Sequence, residues 1–121
     1  LFLDTFNYNA GAIANDALWC GLPIVTKQGQ SYTARMASSL LRAIDLPELI
    51  TTNEKDYEKV AFDLATNPRK LKLLKAKLVL NKNSSPLFDT ENFTKNIETA
   101  YTRAYEQYFN GGKPEHLLIK E

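Results

Sequence analysis

The run NAGAIANDALWCGLPIVT, residues 9–26, constrains the fold more than any other stretch of the chain. Two small residues, Ala10 and Gly11, lead into a short helical span through about Cys20 that carries Ala17, Leu18 and Trp19. Gly21 stands where a helix-ending glycine belongs, and Pro23 just beyond it cannot continue a helix. Pro23 to Thr26 then reads as a strand, and Leu1 to Asp4 is an apolar strand ahead of the loop. Lys27 to Gln30 makes a turn. Ser31 caps a second helix whose Met36, Leu40, Leu41 and Ile44 share one face, and Leu49 to Thr51 is a third strand. This alternation implies an α/β fold, a parallel sheet with right-handed crossovers.

The second half reads as helix. Asn53 with Asp56 marks a capped start, and Tyr57, Val60, Ala61 and Leu64 form its apolar face. Asn67-Pro68 supplies a cap and a first-turn proline ahead of Leu71, Leu74 and Leu78. After a break at Asn81 to Pro86, a long helix starts at Asp89 or Thr90. It carries Phe93, Ile97, Tyr101, Tyr105 and Tyr108 at helical spacing and ends at Gly111-Gly112. The expected organisation is a partial Rossmann-like nucleotide-binding region over residues 1–52, followed by C-terminal helices of the same domain over residues 53–121.

A chain of 121 residues, 44% hydrophobic and 24% charged, makes at most one globular domain. Its net charge of +1 points to neither nucleic acid nor an acidic membrane surface, and no apolar run is long enough to span a bilayer. One cysteine and one histidine exclude a disulfide framework and argue against a structural zinc site. A soluble protein of the reducing cytoplasm fits. The chain opens on Leu1 inside a strand, so it is expected to be the C-terminal piece of something longer. Three parallel strands leave pairing edges open, and self-association through the first strand is expected of the isolated piece.

Ligands of open α/β sheets bind beyond the carboxyl ends of the strands, where the segment from Asn7 to Asp16 lies. A helix N-terminus presents unpaired amides suited to phosphate, Gly11 and Ala12 allow close approach, and Asp16, one turn in, suits ribose hydroxyls. By residue chemistry this is a nucleotide-diphosphate site. The same residues also fit a turn built for close packing, with Asp16 serving the helix dipole. Neither a G-x-G-x-x-G nor a P-loop occurs.

The blocks LDT (3–5), NDALWCGLPIVT (15–26), GQSYTARMASSLL (29–41), LPELI (46–50), YEKVAFDLA (57–65), SSPLFDTENF (84–93) and GGKPEHLLIK (111–120) occur in this order. Together they resemble the C-terminal end of the O-linked N-acetylglucosamine transferase family, which includes bacterial members with tetratricopeptide repeats and the SPINDLY-type fucosyltransferases. The resemblance implies a B-type glycosyltransferase. Such an enzyme transfers a sugar from a nucleotide diphosphate donor, UDP-GlcNAc or a relative, to protein side chains with inversion and without a metal. The family's pyrophosphate loop, of His-Thr-Thr-Gly or Ala-Thr-Thr type, then falls on Gly11, Ala12, Ile13 and Ala14, and its ribose-contacting aspartate on Asp16. Here Ala12 and Ile13 replace both threonines, so two hydroxyl contacts are absent. The family's lysine, uridine loop and acceptor-side base all fall outside this chain, so no catalytic residue is expected within it and the fragment alone should be inactive. A non-catalytic interaction module on the same fold, and a B-type transferase using another nucleotide sugar, stay open.

The remaining candidates read as structural. Arg69, Lys70, Lys72, Lys75, Lys77 and Lys82 form a solvated outer face over Leu71, Leu74 and Leu78. Tyr101, Tyr105, Tyr108 and Phe109 read as packing. Arg35 is expected to anchor a local carboxylate, and Trp19 and Cys20 to lie in the core. His116, in a tail with no partners, leaves no Ser-His-Asp or Cys-His set.

Overall fold

The computed structural model describes residues 1–119; Lys120, the last residue of the block GGKPEHLLIK, lies outside them. Leu1–Phe88 form one compact unit and the residues from Asp89 onward a second. In the first unit the order is β1 (Phe2–Leu3), α1 (Ala12–Trp19), β2 (Ile24–Lys27), α2 (Met36–Ala43), β3 (Ile50–Thr51), α3 (Glu54–Thr66) and α4 (Pro68–Asn81). The second unit is built on α5 (Thr90–Phe109).

The sheet is parallel, in the order β1-β2-β3, with Phe2 opposite Ile24, Leu3 opposite Val25, Thr26 opposite Ile50 and Lys27 opposite Thr51. The central strand β2 packs against α1, α2 and α3. This covering explains its unbroken Ile24-Val25-Thr26 run, all fully buried: a parallel strand clothed on both faces has no solvent side to alternate with. Leu18, Leu41, Ile44, Leu46, Leu49 and Leu64 close the core around it, and Leu74 and Leu78 seat α4.

Local chemistry fixes the ends of these elements. The Asn53 side chain accepts the Asp56 amide at the start of α3, and Asn67 accepts the Lys70 amide at the start of α4, with Pro68 in its first turn. At the end of α1 the Leu22 amide reaches the Ala17 carbonyl (2.8 Å) and the Gly21 amide the Leu18 carbonyl (3.0 Å), a Schellman motif with Gly21 at φ +77°. The end of α2 repeats the pattern, Leu46 to Leu41 (2.8 Å) and Asp45 to Arg42 (3.1 Å), but the left-handed position is held by Asp45 at φ 56°.

Three expectations need correction. Ser31 does accept an amide, that of Ala34, but it opens a 3₁₀ turn over Thr33–Arg35, and α2 itself begins at Met36. Trp19 is 55% exposed rather than in the core, because it ends α1 on the outer side. There it meets the edge of Phe88 (centroids 5.1 Å apart) and lies under the Lys82 ammonium (4.4 Å), which also binds the Trp19 carbonyl (3.0 Å). Cys20, the C-cap, is likewise exposed.

In the second unit Asp89 accepts the Asn92 amide at the start of α5, and Gly111 at φ +73° ends the helix. Tyr101, Tyr105, Tyr108 and Phe109 are all exposed within this chain, so it does not itself supply the packing expected of them; Tyr105 and Phe109 stack on each other (6.1 Å). Among the described residues no helix is long and apolar enough to cross a membrane.

Asp45 gives the first prediction. Asp45→Gly relieves the left-handed strain and gives up only an exposed contact to Lys77 at 4.0 Å. It should therefore stabilise the chain by about 0.5–1 kcal/mol, read as a higher urea midpoint at unchanged slope.

Candidate functional site

Asp4 follows β1 directly and is only 4% exposed. Its Oδ1 accepts the backbone amides of Thr5 (2.9 Å) and Ala10 (2.8 Å), and its Oδ2 accepts the Thr26 hydroxyl (2.6 Å). The register that sets Leu3 opposite Val25 brings Thr26 to the height of Asp4. The Asp4 amide donates to the Val25 carbonyl (3.0 Å), and the Asp4 carbonyl accepts the Tyr57 hydroxyl of α3 (2.9 Å). One residue thus ties the end of β1 to β2, to α3 and to the loop ahead of α1. Burial, and then the nearby Asp4 charge, raise the Tyr57 phenol above its ordinary value near 10.

Asn9 makes the second tie. Its amide donates to the Thr33 carbonyl (3.0 Å) and its Nδ2 to the Thr5 carbonyl (2.7 Å), while the buried Oδ1 has no partner. The Thr5 hydroxyl closes the loop onto the Tyr8 carbonyl.

With Ala10 held in this way, Gly11 becomes the N-cap of α1, and no side chain caps the helix. The first helical bond runs from the Asn15 amide to the Gly11 carbonyl (3.0 Å), which leaves the amides of Ala12, Ile13 and Ala14 without a helical acceptor. An open hollow of about 520 Å³ lies here, lined by Asp4, Asn9, Gly11, Ala12, Ile13 and Met36 among others. A Cβ on Gly11 would meet only Met36 Cγ, at an ordinary 3.8 Å, so packing does not require glycine at this position. The rim of the hollow is apolar: Leu3, Tyr8, Ile13 and Tyr32 all line it and are all more than half exposed.

Of the residues singled out from the sequence, Gly11, Ala12 and Ile13 come together at this hollow. Asp16 does not line it; it sits exposed on α1, one turn further along. On α4, Leu74 and Leu78 turn inward and Arg69, Lys72 and Lys75 face solvent. Arg35 departs from expectation: it is exposed, and its Nε binds the Ser31 carbonyl (3.3 Å) rather than a carboxylate. His116 is exposed in the terminal segment. Among the described residues no cluster of three or more metal-ligating side chains forms. The sequence-based candidates omitted Asp4, Asn9 and Tyr57. A usable signal existed for the first, an acid closing one apolar strand with a threonine closing the next.

Residues 1–97 match the family described as Glycosyl transferase family 41. The whole chain is 33% identical to a probable UDP-N-acetylglucosamine–peptide N-acetylglucosaminyltransferase, SEC, of Arabidopsis thaliana, spanning 12% of that protein. Over 95% of the chain it is 31% identical to the UDP-N-acetylglucosamine–peptide N-acetylglucosaminyltransferase of Caenorhabditis elegans, spanning 10% of it. A solved mutant of Thermobaculum terrenum O-GlcNAc transferase superposes with a TM-score of 0.77 at 35% identity, covering 84% of this chain and 19% of that one.

The ties around Asp4 yield two predictions. Thr26→Val keeps the shape but leaves Asp4 Oδ2 unpaired, so urea unfolding should show a loss of about 2–3 kcal/mol. Tyr57 is favoured in its neutral form by the fold, so its contribution to stability is complete below the unfolded value near 10 and is lost as pH rises through the higher folded value. Tyr57→Phe should therefore flatten the alkaline fall of stability, and the wild-type phenol should ionise late in a 295 nm titration.

Proposed function

The chain belongs to glycosyl transferase family 41, and on that premise we propose that it contributes the donor pyrophosphate and ribose half-site of a protein O-glycosyltransferase. In this reading it is part of a Rossmann-like nucleotide-binding domain in a longer cytoplasmic parent. The observation that carries the proposal is the uncapped start of α1 opening into a hollow at the carboxyl end of β1. Free amides and the positive end of a helix dipole favour an anion at that point.

The chemistry follows from that placement. An acceptor hydroxyl of a protein side chain attacks the anomeric carbon and gives up its proton to a base in the rest of the parent or to the departing diphosphate. The bond from that carbon to the diphosphate oxygen breaks, and UDP leaves with the bonding electrons. Negative charge grows on the departing diphosphate, and in this reading the amides of Ala12 and Ile13 stabilise it. Asp16, beyond the rim, receives the ribose hydroxyls. The groups that activate the acceptor belong to the rest of the parent, so the chain alone carries out no transfer. The exposed aromatic face of α5 and the open edge of β1 are the surfaces that the rest of the parent covers; in the isolated chain that edge favours self-association.

The exposed Ile13 and the apolar rim favour a second reading, an interaction module that has lost its nucleotide. A titration of the isotope-labelled chain with UDP separates the two. The donor reading expects amide shifts clustered at Gly11–Asp16 with affinity near millimolar, about −4 kcal/mol, weakened further in Asp16→Ala. Restoring hydroxyls with Ala12→Thr plus Ile13→Thr should tighten binding by at least about tenfold, at about 1.5–3 kcal/mol per charged hydrogen bond. Absence of localised shifts in both proteins favours the interaction module.

A further inference from the structure

The face of α2 beside the α1 mouth has a different character. Tyr32, Arg35, Met36, Ser39 and Arg42 line a second open depression of about 380 Å³. Arg35, Ser39 and Arg42 recur at steps of four and three, which sets them on one helix face, and all three are exposed. The Arg35 Nε donates to the Ser31 carbonyl and the Arg42 Nη2 to the Gln28 side chain. Among the described residues the ion pairs formed all involve lysines, so both guanidiniums lack a carboxylate. Asp45, the acid just past the end of α2, has Lys77 as its cation at 4.0 Å.

We propose that this face docks an acidic polypeptide segment, with one carboxylate on Arg35 and a second on Arg42. Planar guanidinium forks match carboxylates in two-point contact. Seven residue steps, from Arg35 at the N-cap of α2 to Arg42 within it, set the arginines about 10 Å apart, the span of about three residues of polyproline-II chain, in which side chains three apart share a face. Ser39 between them supplies a hydroxyl, and the exposed Tyr32 ring supplies apolar contact at one end. Tyr32 and Met36 line both this depression and the hollow at α1, so a segment seated on the arginines leads directly to that mouth. Two isolated cations release too few counterions to hold a nucleic acid strand, which makes a polypeptide the better match. Docking is independent of the donor site; if the function proposed above holds, the segment that reaches the α1 mouth this way is the flank of the acceptor polypeptide.

The test titrates the labelled chain with a peptide carrying two glutamates about three positions apart, with its glutamine counterpart, with an oligothymidylate and with UDP. The glutamate peptide should move the signals of Arg35, Ser39 and Arg42, and the glutamine peptide should not. Arg42→Gln, which gives up only a side-chain contact to Gln28, should weaken binding about fivefold, and the double variant with Arg35→Gln should lose it while keeping the wild-type amide spectrum elsewhere. Equal binding of the glutamine peptide, binding retained in the double variant, or tighter binding of oligothymidylate at the same residues would overturn the proposal. If the glutamate peptide binds while UDP shifts neither the wild-type chain nor the Ala12→Thr plus Ile13→Thr variant, the docking face stands and the donor reading falls.

Discussion

A single buried aspartate ties the end of β1, the loop ahead of α1, β2 and α3 together. Among the described residues no cation pairs with Asp4; three neutral donors hold it in its low-exposure position, so each donor is under strong pressure to stay in place. Leaving such a group unsatisfied costs more than an ordinary hydrogen bond gains, and the geometry is correspondingly stiff. Because one oxygen holds the loop and the other holds β2, the loop that opens α1 is fixed with respect to the sheet rather than to its own turns. The exposed mouth of α1 is thereby placed by the interior of the protein.

The arrangement also accounts for what the loop leaves free. The acceptors offered by Asp4 are used by Thr5, Ala10 and Thr26, one step short of the helix, and the amides that follow are left to solvent or ligand. A threonine at position 12 or 13 would place a hydroxyl beside those amides. Ala12 and Ile13 do not, and Ile13 instead extends the apolar rim formed with Leu3, Tyr8 and Tyr32. The start of α1 stays uncapped and opens into the hollow, with no hydroxyl side chain at positions 12 and 13. Under the donor-site proposal, binding there would rest on backbone amides and the helix dipole alone.

Much of the scaffold was legible in the sequence because its signals are local. Gly21 with Pro23 ends α1, Asn53 and Asn67 start α3 and α4, and the two periodicities separate strand from helix, since each depends on residues within a turn of one another. The parallel sheet followed from element order. Asp4, Asn9 and Tyr57 were not found, because their partners lie across the fold: Thr26 is 22 residues from Asp4, and Tyr57 is 53. Trp19 and Cys20 were misplaced for a related reason, as apolar residues at the last position and cap of a short helix are free to turn outward. Arg35 was assigned a carboxylate that the fold does not supply. At the α1 mouth the sequence points to the positions of Gly11, Ala12 and Ile13, whereas the hollow, its apolar rim and the place of Asp16 outside it depend on the tertiary fold.

The measurement that tests the central claim most directly is amide hydrogen exchange across Thr5–Ala14, in the wild-type chain and in Thr26→Val. If Asp4 fixes the loop and leaves the helix mouth open, the Ala10 amide exchanges slowly and those of Ala12 and Ile13 rapidly, and protection at Ala10 falls when Thr26 is replaced. Uniformly rapid exchange through the loop, or strong protection at Ala12 and Ile13, would contradict the account.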